Sequence, residues 1–417
     1  MIKRNICIEL LIKLKINLER ELSIEPEVHM TKFKKVLIYI FAIIVGCASL
    51  VFFLGDPAKG LLEGSITKDI ILRKNFIVET LSTGPSPADF FLTENAQYAG
   101  EWTIGTYAMA TYALTNIAML EPETAKESSK IIAQWIEFCI DEKVATFDEI
   151  AWGEKPLDKR VLRKDKGHIG YYGHLNLMIG CYALLNNDGR FEALHRKISA
   201  AIARRMKKYP HRHIETYPGE TYPPDNTVAV ASLRVADMTL RTNYKRLIDE
   251  WVEQSKKIEY PPYGLIVFEI DIKTARPLQT TRGSNIGWNS FFLPLIDEEY
   301  AQVQFKRFKK HMLRQCIGFA AFKEYPQGQW FRADRDTGPV IFGLGASATG
   351  FSIAGARWTN DESLLTALLR SIELFGISIT KGNQRKYAVA PVVGDAILLA
   401  MKTACRWRPL WKNPKQK

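Results

Sequence analysis

Polar and apolar positions divide this chain into contrasting zones. Val36–Gly55 (VLIYIFAIIVGCASLVFFLG) is twenty residues without a charge. At about 1.5 Å per residue such a run crosses a hydrocarbon core of roughly 30 Å. Lys32, Lys34 and Lys35 precede it, and Asp56 and Lys59 follow. Positive charge stays on the cytoplasmic side, so the run predicts a single-pass anchor with everything after Gly55 outside. From about residue 60 the pattern changes to nearly uncharged helical stretches alternating with amphipathic, charged ones. Glu101–Leu120 is followed by Glu123–Ile140, His168–Leu185 by Arg190–Lys207, and Asn226–Leu240 by Tyr244–Lys257. Asn285–Ile296 is followed by Glu298–Gln315, and Gly338–Arg357 by Glu362–Phe375. Val389–Thr403 is a last apolar helix, and Thr67–Leu81 is the amphipathic segment able to pair with it and close a ring.

Six apolar helices alternating with six amphipathic ones predict an all-α fold, an (α/α)6 toroid preceded by one transmembrane helix. An open helical solenoid has similar pairs but shorter, more regular repeats, so the toroid is preferred. The expected organisation is a cytoplasmic segment 1–35, the anchor 36–55, a toroid domain 60–405 and a basic tail 406–417. Segments entering each apolar helix are long and rich in Gly, Pro, Tyr and Trp, whereas those leaving it are short, such as Asn187-Asp188-Gly189. That asymmetry gathers the long loops, and any chemistry they carry, at one mouth.

Two details concern the N-terminus. Met30 opens MTKFKK, which has the form of a signal n-region, so residues 1–29 read as an upstream extension or a short cytoplasmic helix. Ile44-Val45-Gly46-Cys47 has the form of a lipoprotein cleavage box, but the ASLVFFL after it is apolar, so an uncleaved anchor is expected. The location implied is a bacterial cytoplasmic membrane with the domain on the outer side. Formal charge is +12, of which residues 1–35 carry +3. The excess suits anionic partners such as lipid headgroups or acidic glycans, and the location argues against nucleic acid. Six cysteines without a CxxC pair argue against a zinc ribbon or a dense disulfide scaffold.

Four loop-to-helix junctions hold the candidate chemistry. The first, Gly167–His174, places His168 and His174 at one helix start beside Tyr172. The second, Glu215–Asn226, is a proline-stiffened loop carrying Tyr217, Glu220, Tyr222 and Asp225, with Asp225 or Asn226 the expected N-cap. The third, Thr280–Asn289, offers Arg282 for an anionic group and Trp288 for stacking. The fourth runs from Lys323-Glu324-Tyr325-Pro326 to Asp334 and Asp336, with Asp336 the expected cap of a helix holding Pro339 in its first turn. His195, His211, His213 and His311 fall on charged helices or their ends and are expected in solvent. No metal-ligand spacing, nucleotide loop or GxSxG elbow occurs, so neither metal nor cofactor is expected. Converging carboxylates with His and Tyr support acid–base chemistry. The candidate acids and bases are Asp225, Glu220, His174, Asp334 and Asp336, and the candidate binding groups are His168, Tyr172, Tyr217, Tyr222, Arg282 and Trp288.

The strings Gly170–Met178 (GYYGHLNLM), Tyr217-Pro218-Gly219 with Asp225-Asn226, Arg282-Gly283-Ser284 and Asp336–Val340 (DTGPV) resemble the linalool dehydratase/isomerase-like superfamily over most of residues 95–400. The resemblance implies an (α/α)6 toroid and an active-site histidine matching His174 or His168. The terpene-alcohol enzyme of that superfamily uses a cysteine pair in the loop corresponding to Thr216–Asn226, and Thr216 and Asp225 stand at those places here. Three functions follow as expectations. The first is a carbohydrate-active hydrolase, lyase or epimerase taking a saccharide, including one with an anionic group. The second is a hydro-lyase or isomerase of a small alcohol. The third is a non-catalytic envelope binding protein.

Overall fold

A computed structural model of the chain describes residues 53–84, 96–329, 333–334 and 337–411, with isolated positions between 36 and 51. The chain is mostly helical. The helices are α1 (Lys68–Leu81), α2 (Ala96–Leu120), α3 (Ala125–Ile140), α4 (Glu142–Trp152), α5 (Lys159–Arg163), α6 (Ile169–Leu185) and α7 (Glu192–Lys208). They continue as α8 (Pro223–Leu240), α9 (Lys245–Ser255), α10 (Gly283–Ile296), α11 (Glu298–Met312), α12 (Ala346–Trp358), α13 (Glu362–Gly376) and α14 (Val392–Thr403). Among the described residues no helix is long and apolar enough to cross a membrane. Half of the predicted anchor 36–55, Cys47 included, lies outside the described residues, as do residues 1–35.

Six helices form a closed cycle of neighbours: α2 packs on α6, α6 on α8, α8 on α10, α10 on α12, α12 on α14, and α14 back on α2. These are the nearly uncharged helices. In α6 every residue but Gly170 and Ala183 is buried, as expected for a helix without a polar face. Gly173 lets α6 and α8 approach closely, since a Cβ there would stand 3.2 Å from the Ala229 backbone nitrogen. The charged helices α3, α7, α9, α11 and α13 pack against this cycle from outside, and α1 packs on α14. Thr67 caps α1 by accepting from the Ile70 amide at 3.4 Å.

Links from an inner helix to its outer partner are short: 121–124, 186–191, 241–244, 297 and 359–361. Helices joined so briefly run antiparallel, and the inner helices therefore all begin at one end of the cycle. Returns from outer to inner helices span 141–168, 209–222, 256–282, 313–345 and 377–391. They hold α4, α5 and five two-stranded antiparallel hairpins. These are β1–β2 (Glu259–Tyr260, Leu265–Ile266), β3–β4 (Glu269–Ile270, Pro277–Gln279), β5–β6 (Leu313–Cys316, Phe319–Phe322), β7–β8 (Val340–Ile341, Leu344–Gly345) and β9–β10 (Ser378–Lys381, Gln384–Tyr387). At the other end Trp407 Nε1 donates to Asn116 Oδ1 at 2.6 Å and Trp411 Nε1 to the Ala183 carbonyl at 2.6 Å. The tail is thus packed across the base as far as residue 411.

Three expectations are corrected. The glycine-rich stretch predicted to open a helix at Gly338 is the β7–β8 hairpin, with Phe342 and Gly343 at positive φ in its turn, and α12 begins at Ala346 with Gly345 as its cap. Residue 336 lies outside the described residues and ten positions before that helix. Helix α8 starts at Pro223 and is capped by Tyr222, because Pro223 and Pro224 fill the first turn, where no intrahelical N–H bond is made. Asp225 and Asn226 are therefore helical, and Asn226 ties the preceding loop instead, accepting from the Ile214 amide at 2.8 Å and donating to its carbonyl at 3.0 Å. His195, His211 and His213 are buried, not solvated. His195 lies on the apolar side of α7 with Ile198, Ile202 and Met206, while His213 donates from Nδ1 to the His211 carbonyl at 2.8 Å. His311 stacks on Tyr263 at 4.3 Å.

Candidate functional site

The mouth-side loops bring one acid–base cluster together where α2, α6 and α8 begin. Tyr217-Pro218-Gly219-Glu220 makes a tight turn, with Pro fixing one φ, Gly219 at φ 84° and the Glu220 amide bonded to the Tyr217 carbonyl at 2.9 Å. The turn folds the loop so that Thr216 Oγ1 donates to Asp225 Oδ2 at 2.6 Å. Tyr217 points inward and is buried. Burial, then Glu101 on α2, then Asp225 and Asp148, push its phenol well above the ordinary value. Three carboxylates from three elements thus act on one hydroxyl, which remains protonated and able to donate.

Behind this lies a second trio. His168 Nδ1 contacts Asp148 Oδ2 at 2.6 Å and Nε2 contacts Glu154 Oε1 at 3.3 Å. Each contact requires one proton between its two heavy atoms. Burial raises the Asp148 pKa against the pull of His168. For Glu154, burial is outweighed by hydrogen bonds from Lys164 and His168, and its pKa is lowered. Trp152 lies 4.9 Å from the His168 ring and donates to the Thr216 carbonyl at 3.1 Å, joining trio to loop. Gly167 makes room for it: a Cβ there would stand 2.5 Å from the Trp152 ring, at φ 72°.

His174 lies deeper along α6, its Nδ1 3.0 Å from the Tyr112 hydroxyl and its ring edge-on to Trp288 at 5.5 Å. Burial lowers its pKa to about 4, so the imidazole is neutral at ordinary pH. Trp288 is half-buried and donates to the Pro224 carbonyl at 3.3 Å. It therefore links His174 to the start of α8.

Across the mouth, Arg282 pairs with Asp334 at 2.5 Å, donates to Gln279 at 2.8 Å and lies 3.8 Å over Phe268. It is engaged within the protein, with Asp334 as its carboxylate. Glu324 is buried nearby, accepting from Ser284 Oγ at 2.6 Å, and burial raises its pKa to about 7.

The predicted residues thus separate. His168, Tyr217 and Asp225 belong to one cluster, with His174 and Trp288 deeper in the same wall. Glu220 stays on the exposed turn, accepting from Tyr222 at 2.8 Å. Tyr172 is wholly buried, donating to the Pro156 carbonyl at 2.5 Å beneath Arg205, so its ring is wall and not a stacking surface. Glu101, Asp148, Glu154 and Glu324 were not among the candidates. Asp148 and Glu101 each interrupt an apolar stretch, which is the signal that marks them.

Two cavities lie elsewhere. One of about 260 Å³ is lined by Lys256, Glu259, Asp297, Tyr300 and Arg307 on the outer wall. One of about 40 Å³ is lined by Ser290, Pro294, Glu298, Trp358 and Arg406 at the base. Among the described residues no His, Cys, Asp and Glu group has the arrangement of a metal site. No known family model matches the chain.

Proposed function

We propose that the chain is an acid–base enzyme on an (α/α)6 toroid, held at the outer face of a bacterial cytoplasmic membrane by residues 36–55, and that it makes or breaks a C–O bond of a hydroxylated substrate. The observation that carries this reading is a set of contacts where α6 and α8 begin: Thr216 donates to Asp225 at 2.6 Å, His168 meets Asp148 at 2.6 Å, and Trp152 joins the two by donating to the Thr216 carbonyl at 3.1 Å, with the buried Tyr217 next in sequence. Cleaving a C–O bond requires a proton for the departing oxygen and a base for water or for a neighbouring C–H. Tyr217, which holds its proton, suits the donor role. Asp225, half-buried and oriented by Thr216, suits the base. Asp148–His168–Glu154 would resupply protons. The closed neighbour cycle of six apolar helices supports the toroid.

Supporting the location, Leu37, Tyr39, Val45 and Phe53, among the described residues of the apolar run, are exposed. Cys316 is disulfide-bonded, which suits an oxidising compartment.

A carbohydrate is the first substrate class proposed, hydrolysed, eliminated or epimerised. A small alcohol, dehydrated or isomerised, is the second. The second is favoured by one observation: Thr216 and Asp225, at the places of the superfamily's cysteine pair, are hydrogen-bonded to each other. The test is the full chain in lipid vesicles, offered neutral and acidic oligosaccharides and small alcohols, with products read by mass spectrometry. Saccharide products lost in Asp225→Asn support the first class, and alcohol products lost in the same variant support the second. Turnover unchanged in Asp225→Asn overturns the site. Binding without product leaves the envelope-binding reading.

A further inference from the structure

After Gly55 the described residues expose eleven large hydrophobic side chains, and eight of them lie in the outer-to-inner returns or at their margins. Ile341 and Phe342 form the tip of β7–β8, with Phe342 94% exposed, while Ile379 lies on β9 and Phe375, Ile377 and Val389 flank β9–β10. Scattered apolar residues on a surface are ordinary, but a concentration at one end of a helix ring marks an interaction face. Positive charge is concentrated in one of these returns: 377–391 holds Lys381, Arg385 and Lys386 with no Asp or Glu, whereas 141–168 balances seven Lys or Arg against seven Asp or Glu.

The chain leaving the apolar run fixes where this end points. Asp56 Oδ1 accepts from Thr366 at 3.0 Å, early in α13. One residue earlier, the Gly55 carbonyl accepts from Arg370 Nε at 2.8 Å, a turn further along α13. Val51 reaches Gly318 at the β5–β6 tip, where a Cβ would stand 3.0 Å from its side chain. Read back from Asp56 to Val51, the chain climbs α13 towards the C-terminus of that helix. That is the end where the long returns begin. Phe375 is five residues beyond Arg370, about 7–8 Å further in the same direction.

We propose that the long-loop end of the ring lies against an anionic bilayer surface, the apolar tips entering the headgroup region and the lysines and arginines meeting lipid phosphates. This rests on the reading that residues 36–55 cross the membrane. A bilayer is the occupant because the apolar run emerges on this side and because the β9–β10 return combines apolar side chains with positive charge, which is the chemistry of interfacial binding. A molecule reaching Asp225 then arrives from the leaflet surface.

The experiment uses the full chain in vesicles of phosphatidylcholine and phosphatidylglycerol. Phe342→Cys, Phe375→Cys and Glu299→Cys are each labelled with an NBD fluorophore and corrected for the unsubstituted chain. Glu299 is exposed beside the 297 turn at the opposite end. Lipids with a nitroxide near the headgroup are expected to quench positions 342 and 375 by about twofold or more and position 299 hardly at all, since interfacial side chains sit within a few ångströms of the headgroups. Co-flotation with vesicles but equal quenching at all three positions overturns the inference and leaves the anchor standing. Failure to co-float overturns both. A dimer in detergent with no lipid quenching assigns the face to a second copy of the chain and overturns the bilayer.

Discussion

Arg73 offers the sharpest test of how the ring is closed, because it ties the first helix to the last two. Its side chain is wholly buried, and Nε lies 3.0 Å from both Asp69 oxygens. One Nη donates to Glu373 at 3.2 Å and Ser378 at 2.7 Å, and the other lies 3.6 Å from Asp395. The guanidinium covers the Tyr387 ring at 3.7 Å. Replacing it in Arg73→Met keeps most of the stem volume but strips the carboxylates of their shared donor. Breaking a buried pair from one side costs about 3–5 kcal/mol. Lys402, 2.9 Å from Asp69 and 3.1 Å from Glu373, still neutralises those two groups. The expected loss is therefore at the lower end, about 3–4 kcal/mol. With an unfolding entropy of about 2.1 cal/mol/K per residue over ~350 residues, that lowers the melting temperature by about 4–6 °C. The assay is thermal unfolding of the full chain in detergent, with hydrogen exchange over residues 68–81 as a local readout. Arg196→Ala removes only an exposed i,i+4 pair with Glu192 and should shift melting by less than about 1 °C. A shift for Arg73→Met as small as that of Arg196→Ala, with unchanged exchange in α1, would refute the reasoning.

Three further outcomes are expected. Glu324 keeps its proton to about pH 7 when folded, whereas the unfolded chain releases it near 4.5. Its contribution is thus complete below pH 4.5 and lost as pH rises through 7, a span of order 3 kcal/mol, and Glu324→Gln should flatten the stability profile across that window. His174, with a pKa lowered to about 4, and His195 and His213, lowered to about 3, stay neutral when folded, all by burial. The unfolded chain takes up those protons near pH 6.5, so stability should fall as pH drops from 6.5 towards 4, and denaturant titrations showing no loss there would count against their burial. Gly167→Ala forces a Cβ onto Trp152 at a positive φ, so it should cost about 1–3 kcal/mol and change the Trp152 fluorescence, whereas an unchanged emission spectrum would contradict the packing.

Much of the architecture was legible because burial leaves a periodic signature. The nearly uncharged stretches at 101–120, 168–185 and 226–240 became helices of the closed cycle, and short links such as 359–361 marked their charged partners. Composition misled where it was read in place of periodicity. His195 has Lys and Arg neighbours, yet it shares a face with Ile198 and Ile202. The hairpins were missed because strands of two to four residues carry too little alternation, and the Gly343 turn looked like helix packing. The site was legible only in part. Tyr217 and Asp225 stand eight residues apart, on a loop and the helix it enters, but Glu101 and Asp148 reach them only through the contacts of α2 with α4 and α6. Long-range convergence of that kind leaves no local spacing to read.

The central claim is that Asp225 and its neighbours perform acid–base chemistry, and the most direct test is the turnover number of Asp225→Asn on the first substrate that the vesicle panel yields. The account predicts a fall of about 10²–10⁴-fold with the fold intact. Glu299→Gln, at the opposite end of the ring, should leave the rate unchanged. An Asp225→Asn protein that turns over at the parental rate would contradict the account.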